Sequence, residues 1–252
     1  MSFDVAAEAY DRFMGRYSRP LAPLLADVAG VRAGQRVLDV GCGPGALTGE
    51  LVARVGPRGV TAVDPSAPFV AAAAERHPGV DVRQATAEQL PFPDRSFDAA
   101  LAQLVVHFMR DPVAGIGEMT RVTRVGGVVA ACVWDHGTRR GPLGLFWRAA
   151  RELDPDVDDE SERAGTREGQ LEVLFATAGL RDIEGSVLTV RVEHPGFDEW
   201  WEPFMRGVGP AGAHVAALDP DQRAALRERC RALAPDGPFT IEARAWAARG
   251  LV

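Results

Sequence analysis

Apolar positions along the chain change their period several times, and each change predicts an element. Phe3, Ala6, Ala7, Tyr10, Phe13, Met14 and Tyr17 recur near 3.6 residues, which predicts helix over residues 3–29, with Pro20 opening a second short segment. Gly34 breaks that run. A short apolar stretch at 36–40 reads as a buried strand that stops in a glycine-rich turn. Residues 46–55 then read as a helix closed by Gly56-Pro57. The alternation continues with a strand at 59–63, a helix from a Ser66 cap to about Arg76, and a strand at 80–84. It ends with a strand at 97–102, a helix at 112–122 and a strand at 128–134. Strands alternating with helices of this length imply parallel pairing with helices on both faces.

The last third has a different pattern. Residues 137–170 are polar, and the acidic run from Asp154 to Glu162 reads as a solvated loop. A helix is expected over 171–178 and an alternating strand over 187–192. Residues 196–235 look helical and aromatic-rich, and a final strand is expected over 239–247. The expected fold class is α/β: a doubly wound, Rossmann-like, seven-stranded and mostly parallel sheet. It carries N-terminal helices (1–34) and a helical insertion (196–235) before the last strand. The sheet domain comprises 35–195 and 236–252.

Composition narrows the function. Net charge is -7 over 252 residues, which counts against a phosphate-tracking nucleic-acid partner. There is no lysine, so Schiff-base chemistry and a phosphate-loop lysine are excluded. Cys42, Cys132 and Cys230 are too few and too scattered for a disulfide framework or zinc spacing, and a reducing cytoplasm is the expected setting. The start, Met1-Ser2-Phe3-Asp4, does not read as a signal peptide. No stretch approaches the ~20 apolar residues of a membrane span, so no membrane partner is expected.

The chemistry gathers after the first strand, at Gly41-Cys42-Gly43-Pro44-Gly45-Ala46. Glycines let a ligand approach the backbone, and the following helix offers free amides. Asp64, at the end of the second strand, can accept from a ribose diol. Together they indicate an adenosine-containing cofactor. The turn also satisfies G-x-G-x-x-A, so a nicotinamide-dependent oxidoreductase is an alternative. Two residues favour a cationic ligand over a pyrophosphate: Pro44 removes an amide from the turn, and Asp39 adds a negative charge just before it.

Val37-Leu38-Asp39-Val40-Gly41-Cys42-Gly43-Pro44-Gly45 resembles the first motif of class I S-adenosylmethionine-dependent methyltransferases. Ala85 to Asp98, with Leu90-Pro91-Phe92-Pro93 at its centre, is similar to a segment of the branch containing the ubiquinone and menaquinone biosynthesis C-methyltransferases. Arg121 to Gly127 resembles a turn of that branch. The resemblance implies S-adenosylmethionine as cofactor and S-adenosylhomocysteine as product. Gly41 and Gly43 would line the methionine and ribose, and Asp39 would hold the amino group directly or through water. Asp64 would bind the ribose hydroxyls, with Pro65 and Ser66 beside the adenine. Ala87 would meet the adenine edge, and Gln103 would sit near the methionine. Thr86 stands where the family often has aspartate, a departure for which Glu88 would compensate. Val125 replaces a common proline.

The resemblance leaves the acceptor open. A small aromatic or apolar molecule methylated on oxygen or carbon is expected, with residues 196–235 as part of a lid. A non-catalytic S-adenosylmethionine-binding protein is a further alternative. His107 follows the fourth strand and is a candidate base, although a packing role suits it as well. His136 has a weaker claim of the same kind. Tyr17 is a candidate for contact with the cofactor or acceptor. Trp200, Trp201, Phe204 and Met205 either roof the acceptor site or fasten the insertion. No two histidines share one helix at metal-ligand spacing, so no metal is expected. Oligomeric state is left unknown.

Overall fold

Residues 7–252 are described by a computed structural model; Phe3 and Ala6 of the first helical pattern lie outside them. Seven strands form one sheet: β1 (Val37–Val40), β2 (Val60–Asp64), β3 (Asp81–Gln84), β4 (Phe97–Gln103), β5 (Thr123–Trp134), β6 (Arg181–His194) and β7 (Phe239–Leu251). Their order is β3-β2-β1-β4-β5-β7-β6. The first five are parallel, and β7 runs antiparallel between β5 and β6. After β3 the chain returns to the far side of β1. The direction of winding therefore reverses between β1 and β4, and a crevice opens beyond their carboxyl ends.

Side-chain alternation sorts the core into two layers. Val37, Ala99, Leu101, Ala130 and Cys132 pack toward the N-terminal helices and the insertion. Leu38, Val40, Ala100, Ala102, Val129 and Ala131 pack on the other face, under Ile116, Met119, Leu171 and Phe175.

The N-terminal helix comprises α1 (Ala7–Tyr10), a π-helical stretch (Asp11–Gly15) and α2 (Arg16–Val28), and it runs on through Pro20 and Pro23. No second segment opens at Pro20. Leu21, Ala22, Leu25 and Ala26 are fully buried, and that burial outweighs the backbone hydrogen bonds the prolines remove. Then come α3 (Ala46–Val55), α4 (Ala67–Arg76) and α5 (Pro112–Val122). Ser66 occupies the start of α4 but makes no side-chain capping bond there.

The polar stretch after β5 hides a helix, α6 (Gly144–Leu153), which buries Phe146, Trp147, Ala149 and Ala150. Next is α7 (Gln170–Thr177). The insertion holds α8 (Phe197–Trp201), a 3-10 stretch (Glu202–Arg206), α9 (Gly209–Ala217) and α10 (Pro220–Leu233). Asp219 opens α10 with a reciprocal capping box to Gln222. No described helix is long and apolar enough to cross a membrane.

Candidate active site

The glycine turn is built by backbone. The N–H groups of Gly41 and Cys42 both donate to the Val63 carbonyl, at 2.8 and 2.9 Å, which folds the turn over the end of β2. Gly41 has φ +71°, and a Cβ there would lie 2.4 Å from a Val105 methyl carbon. Gly43 has φ +54°, and a Cβ there would meet nothing within 4 Å. Glycine is thus required at 41 by packing, whereas at 43 it leaves room beside the turn.

Asp64 completes the turn. Its Oδ2 accepts from Gly43 N and its Oδ1 from Ser66 N, both at 2.8 Å. Burial raises its pKa above the usual carboxylate value, against the pull of those two amides. Asp39 is 1% exposed and lies behind the turn, outside the cavity wall. Its Oδ2 accepts from the Thr48 hydroxyl at 2.6 Å, while Oδ1 is buried without a partner. Burial raises its pKa to about 7, opposed by the Thr48 bond.

A cavity of about 880 Å³, continuous in part with solvent, runs from the turn across the ends of β4 and β5. Gly41, Gly43, Asp64, Pro65, Ser66 and Phe69 line one end. Tyr10, Phe13 and Met14 close it from the N-terminal helix. Gln103, Leu104, Val105, His107, Phe108, Trp134 and His136 form its floor. Leu143, Glu160 and Val208 to Pro210 form the far wall. Gln103 Nε2 donates to the Ser18 carbonyl at 3.0 Å, tying β4 to α2. Its Oε1 is buried without a partner, and so are His107 Nδ1, Trp134 Nε1 and His136 Nε2. Burial lowers both histidine pKa values, that of His136 to about 4, so both rings are neutral at pH 7.

Of the residues expected at the site, Gly41, Gly43, Asp64, Pro65, Ser66, Gln103 and His107 share this wall. Thr86, Ala87 and Glu88 are outside it. Thr86 is exposed, Ala87 is buried, and Glu88 Oε1 accepts from the Arg110 amide at 2.8 Å. Tyr17 faces away from the cavity. Its hydroxyl lies 2.8 Å from His194 Nε2, and His194 Nδ1 lies 2.9 Å from Glu199, which pairs with Arg16. Trp200, Trp201 and Phe204 are buried against Phe13, Phe146 and Phe239, whereas Met205 is 48% exposed. The tryptophans fasten the insertion; Val208, Gly209 and Pro210 are the part of it that reaches the cavity.

Two further residues shape the wall. Tyr10 meets Phe69 edge-on at 5.4 Å. Glu160, in the acidic run expected to be solvated, is 2% exposed. The run folds inward because Arg151 and Arg139 pair with Asp159, while Trp147 and Arg163 hold Glu160. Arginines flanking the run were the only signal of this in the sequence.

The chain matches a family model described as a methyltransferase domain over residues 38–131. A Mycolicibacterium smegmatis protein described as a probable S-adenosylmethionine-dependent methyltransferase is 31% identical over 198 residues, covering 75% of this chain and 73% of that protein. The demethylmenaquinone methyltransferase of Renibacterium salmoninarum is 35% identical over 141 residues, 54% of this chain and 58% of its own length. The chain spans between 48% and 73% of the length of the curated relatives compared first. Among solved structures, an S-adenosylmethionine-dependent methyltransferase of Thermotoga maritima shares the fold, with TM-score 0.54 and 21% identity over 97% of this chain and 98% of that one. The chain belongs to the S-adenosylmethionine-dependent methyltransferases. It is an enzyme of that class and takes S-adenosylmethionine as its methyl donor.

Proposed function

We propose that the enzyme methylates a small, largely apolar or aromatic acceptor that carries one oxygen-bearing polar group, on that oxygen or on a carbon it activates. One observation carries this reading. Gln103, His107, Trp134 and His136, each with a buried polar atom that lacks a partner, line one cavity together with the apolar Phe13, Met14, Phe108, Leu143 and Val208. Buried polar groups are nearly always hydrogen-bonded. Their concentration here fits a ligand with an apolar body and a localised polar group.

The residues fit the donor as well. Gly43 leaves space beside the backbone for its methionine and ribose portions. Asp64 offers carboxylate lone pairs at the cavity wall to a ribose diol, and Pro65, Ser66 and Phe69 flank the adenine position. Asp39 acts from behind the turn, where its buried charge favours an ammonium. Bound S-adenosylmethionine supplies an electrophilic methyl group on a good leaving sulfur. The chain's own work is to bind, align and exclude water. The apolar lining and the N-terminal helix cover one side of the cavity and limit its contact with water. His107 and His136 stand at the polar end of the cavity, where the acceptor's oxygen would sit.

Initial rates of S-adenosylhomocysteine formation across phenols, quinols, enolic polyketides, aliphatic amines and carboxylates test this reading. Turnover confined to phenols, quinols or enols is expected. Turnover confined to amines or carboxylates would overturn it.

A further inference from the structure

Three buried groups outside the glycine turn converge on one point of the cavity wall. His107 follows β4, His136 follows β5, and Glu160 comes from the loop after α6. One ligand atom from each lies within 4.8 Å of the others. The residues are 7%, 4% and 2% exposed. His107 Nδ1 and His136 Nε2 have no hydrogen-bond partner, so packing alone does not account for two imidazoles pressed together at a ring separation of 5.8 Å. Glu160 is held at φ +66°, a strained backbone for a residue with a Cβ. Trp147 Nε1 donates to its Oε2 at 3.2 Å, and Arg163 pairs with its Oε1 at 3.3 Å. These contacts orient the carboxylate and still leave lone pairs on each oxygen.

We propose that His107, His136 and Glu160 form a binding site for one divalent transition-metal ion of the Zn²⁺/Co²⁺ type, with an open position facing the acceptor's oxygen. Two imidazoles and one carboxylate select borderline ions; Mg²⁺ and Ca²⁺ favour all-oxygen sites. Three protein ligands and one open position is the pattern of catalytic rather than structural zinc sites. Tetrahedral ligation at about 2.0–2.2 Å sets ligand atoms roughly 3.5 Å apart, so any pair near the 4.8 Å limit would have to close by about 1 Å. Asp135 and Asp159 nearby favour a cation and Arg163 opposes one, while burial raises the Glu160 pKa to about 7.

The ion supplies what the histidines lack. With both rings engaged as ligands, neither keeps a lone pair to act as a base toward the acceptor. Bound to the ion, an acceptor O–H would release its proton through the solvent-open side of the cavity, and the O–H electron pair would stay on the oxygen as the nucleophile. This step rests on the acceptor class proposed above; binding of the ion does not.

The test is a Co²⁺ titration of the metal-stripped full chain, followed by visible absorption and melting temperature, with Mg²⁺ as control. One Co²⁺ per chain, d–d bands of a four- or five-coordinate site and a raised Tm are expected, with no response to Mg²⁺. Glu160→Gln and His136→Asn should weaken Co²⁺ binding at least 10- to 100-fold while near-UV circular dichroism is retained. His107→Gln replaces either variant if it does not fold. Absence of saturable Co²⁺ binding by the wild-type chain, or unchanged binding in the folded variants, overturns the site. Co²⁺ binding without turnover of any phenol, quinol or enol would instead sink the acceptor class and leave the metal site standing.

Discussion

Gly41 and Gly43 stand two residues apart in one turn and constrain the protein differently. At Gly41 an added methyl collides with Val105, in a backbone conformation that already disfavours a side chain. Gly41→Ala should cost about 1–3 kcal/mol or more and lower Tm by roughly 2–10 °C, measured by thermal melting. At Gly43 the methyl enters open space. Gly43→Ala should therefore melt closer to wild type yet bind S-adenosylmethionine more weakly. Asp39 gives a pH dependence. Its pKa is raised to about 7 in the free protein, and an ammonium nearby would favour its ionised form, so binding expels a proton at acidic pH. Affinity for S-adenosylmethionine should then rise with pH up to about 7, by at most about tenfold per pH unit for one proton, and level off above. Asp64, also raised, would act in the same direction. Isothermal titration from pH 5 to 8 should show this slope, and Asp39→Asn should flatten it.

At the scale of elements, the N-terminal helix touches two different structures. Its Tyr10 lines the cavity, whereas its Tyr17 bonds His194 in a buried network with Arg16 and Glu199. Tyr17→Phe leaves a buried histidine nitrogen unpaired and should cost about 1–3 kcal/mol of stability, with donor affinity little changed. Tyr10→Ala should do the reverse, weakening donor affinity severalfold with a small change in Tm. Tyr10 and Tyr17 carry the same periodic signal in the sequence, because spacing gives a face and not the partner of each residue on it. The same limit applies to α6. Phe146 and Trp147 sit in a stretch that reads as polar because arginines and glutamates share it, and only the packed face shows the helix. The strands were legible because buried strands read as continuous apolar runs. Their ends were less so: β6 begins at Arg181, before its alternation becomes regular.

At the scale of the molecule, parallel strands that reverse their winding between β1 and β4 open one crevice, and both halves of the proposed site lie along it. The donor half was legible, since a strand, a glycine turn and an acidic residue one strand later are contiguous signals. The acceptor half was not. Its wall is drawn from the N-terminal helix, the ends of β4 and β5, a loop near residue 160 and the start of α9. Glu160 reaches that wall only because Arg139, Arg151 and Arg163 fold an acidic run inward. A rule that seeks metal ligands on one helix has no access to the three residues proposed as ligands, which come from three segments. Asp64 and the glycine turn are proposed to hold the methyl donor at the head of this crevice. Calorimetric titration of wild type and Asp64→Asn with S-adenosylhomocysteine tests this most directly. One site per chain is predicted, weakened about 10- to 100-fold in the variant, in keeping with the loss of charged hydrogen bonds. Equal affinity in the two proteins, with the variant folded, would contradict it.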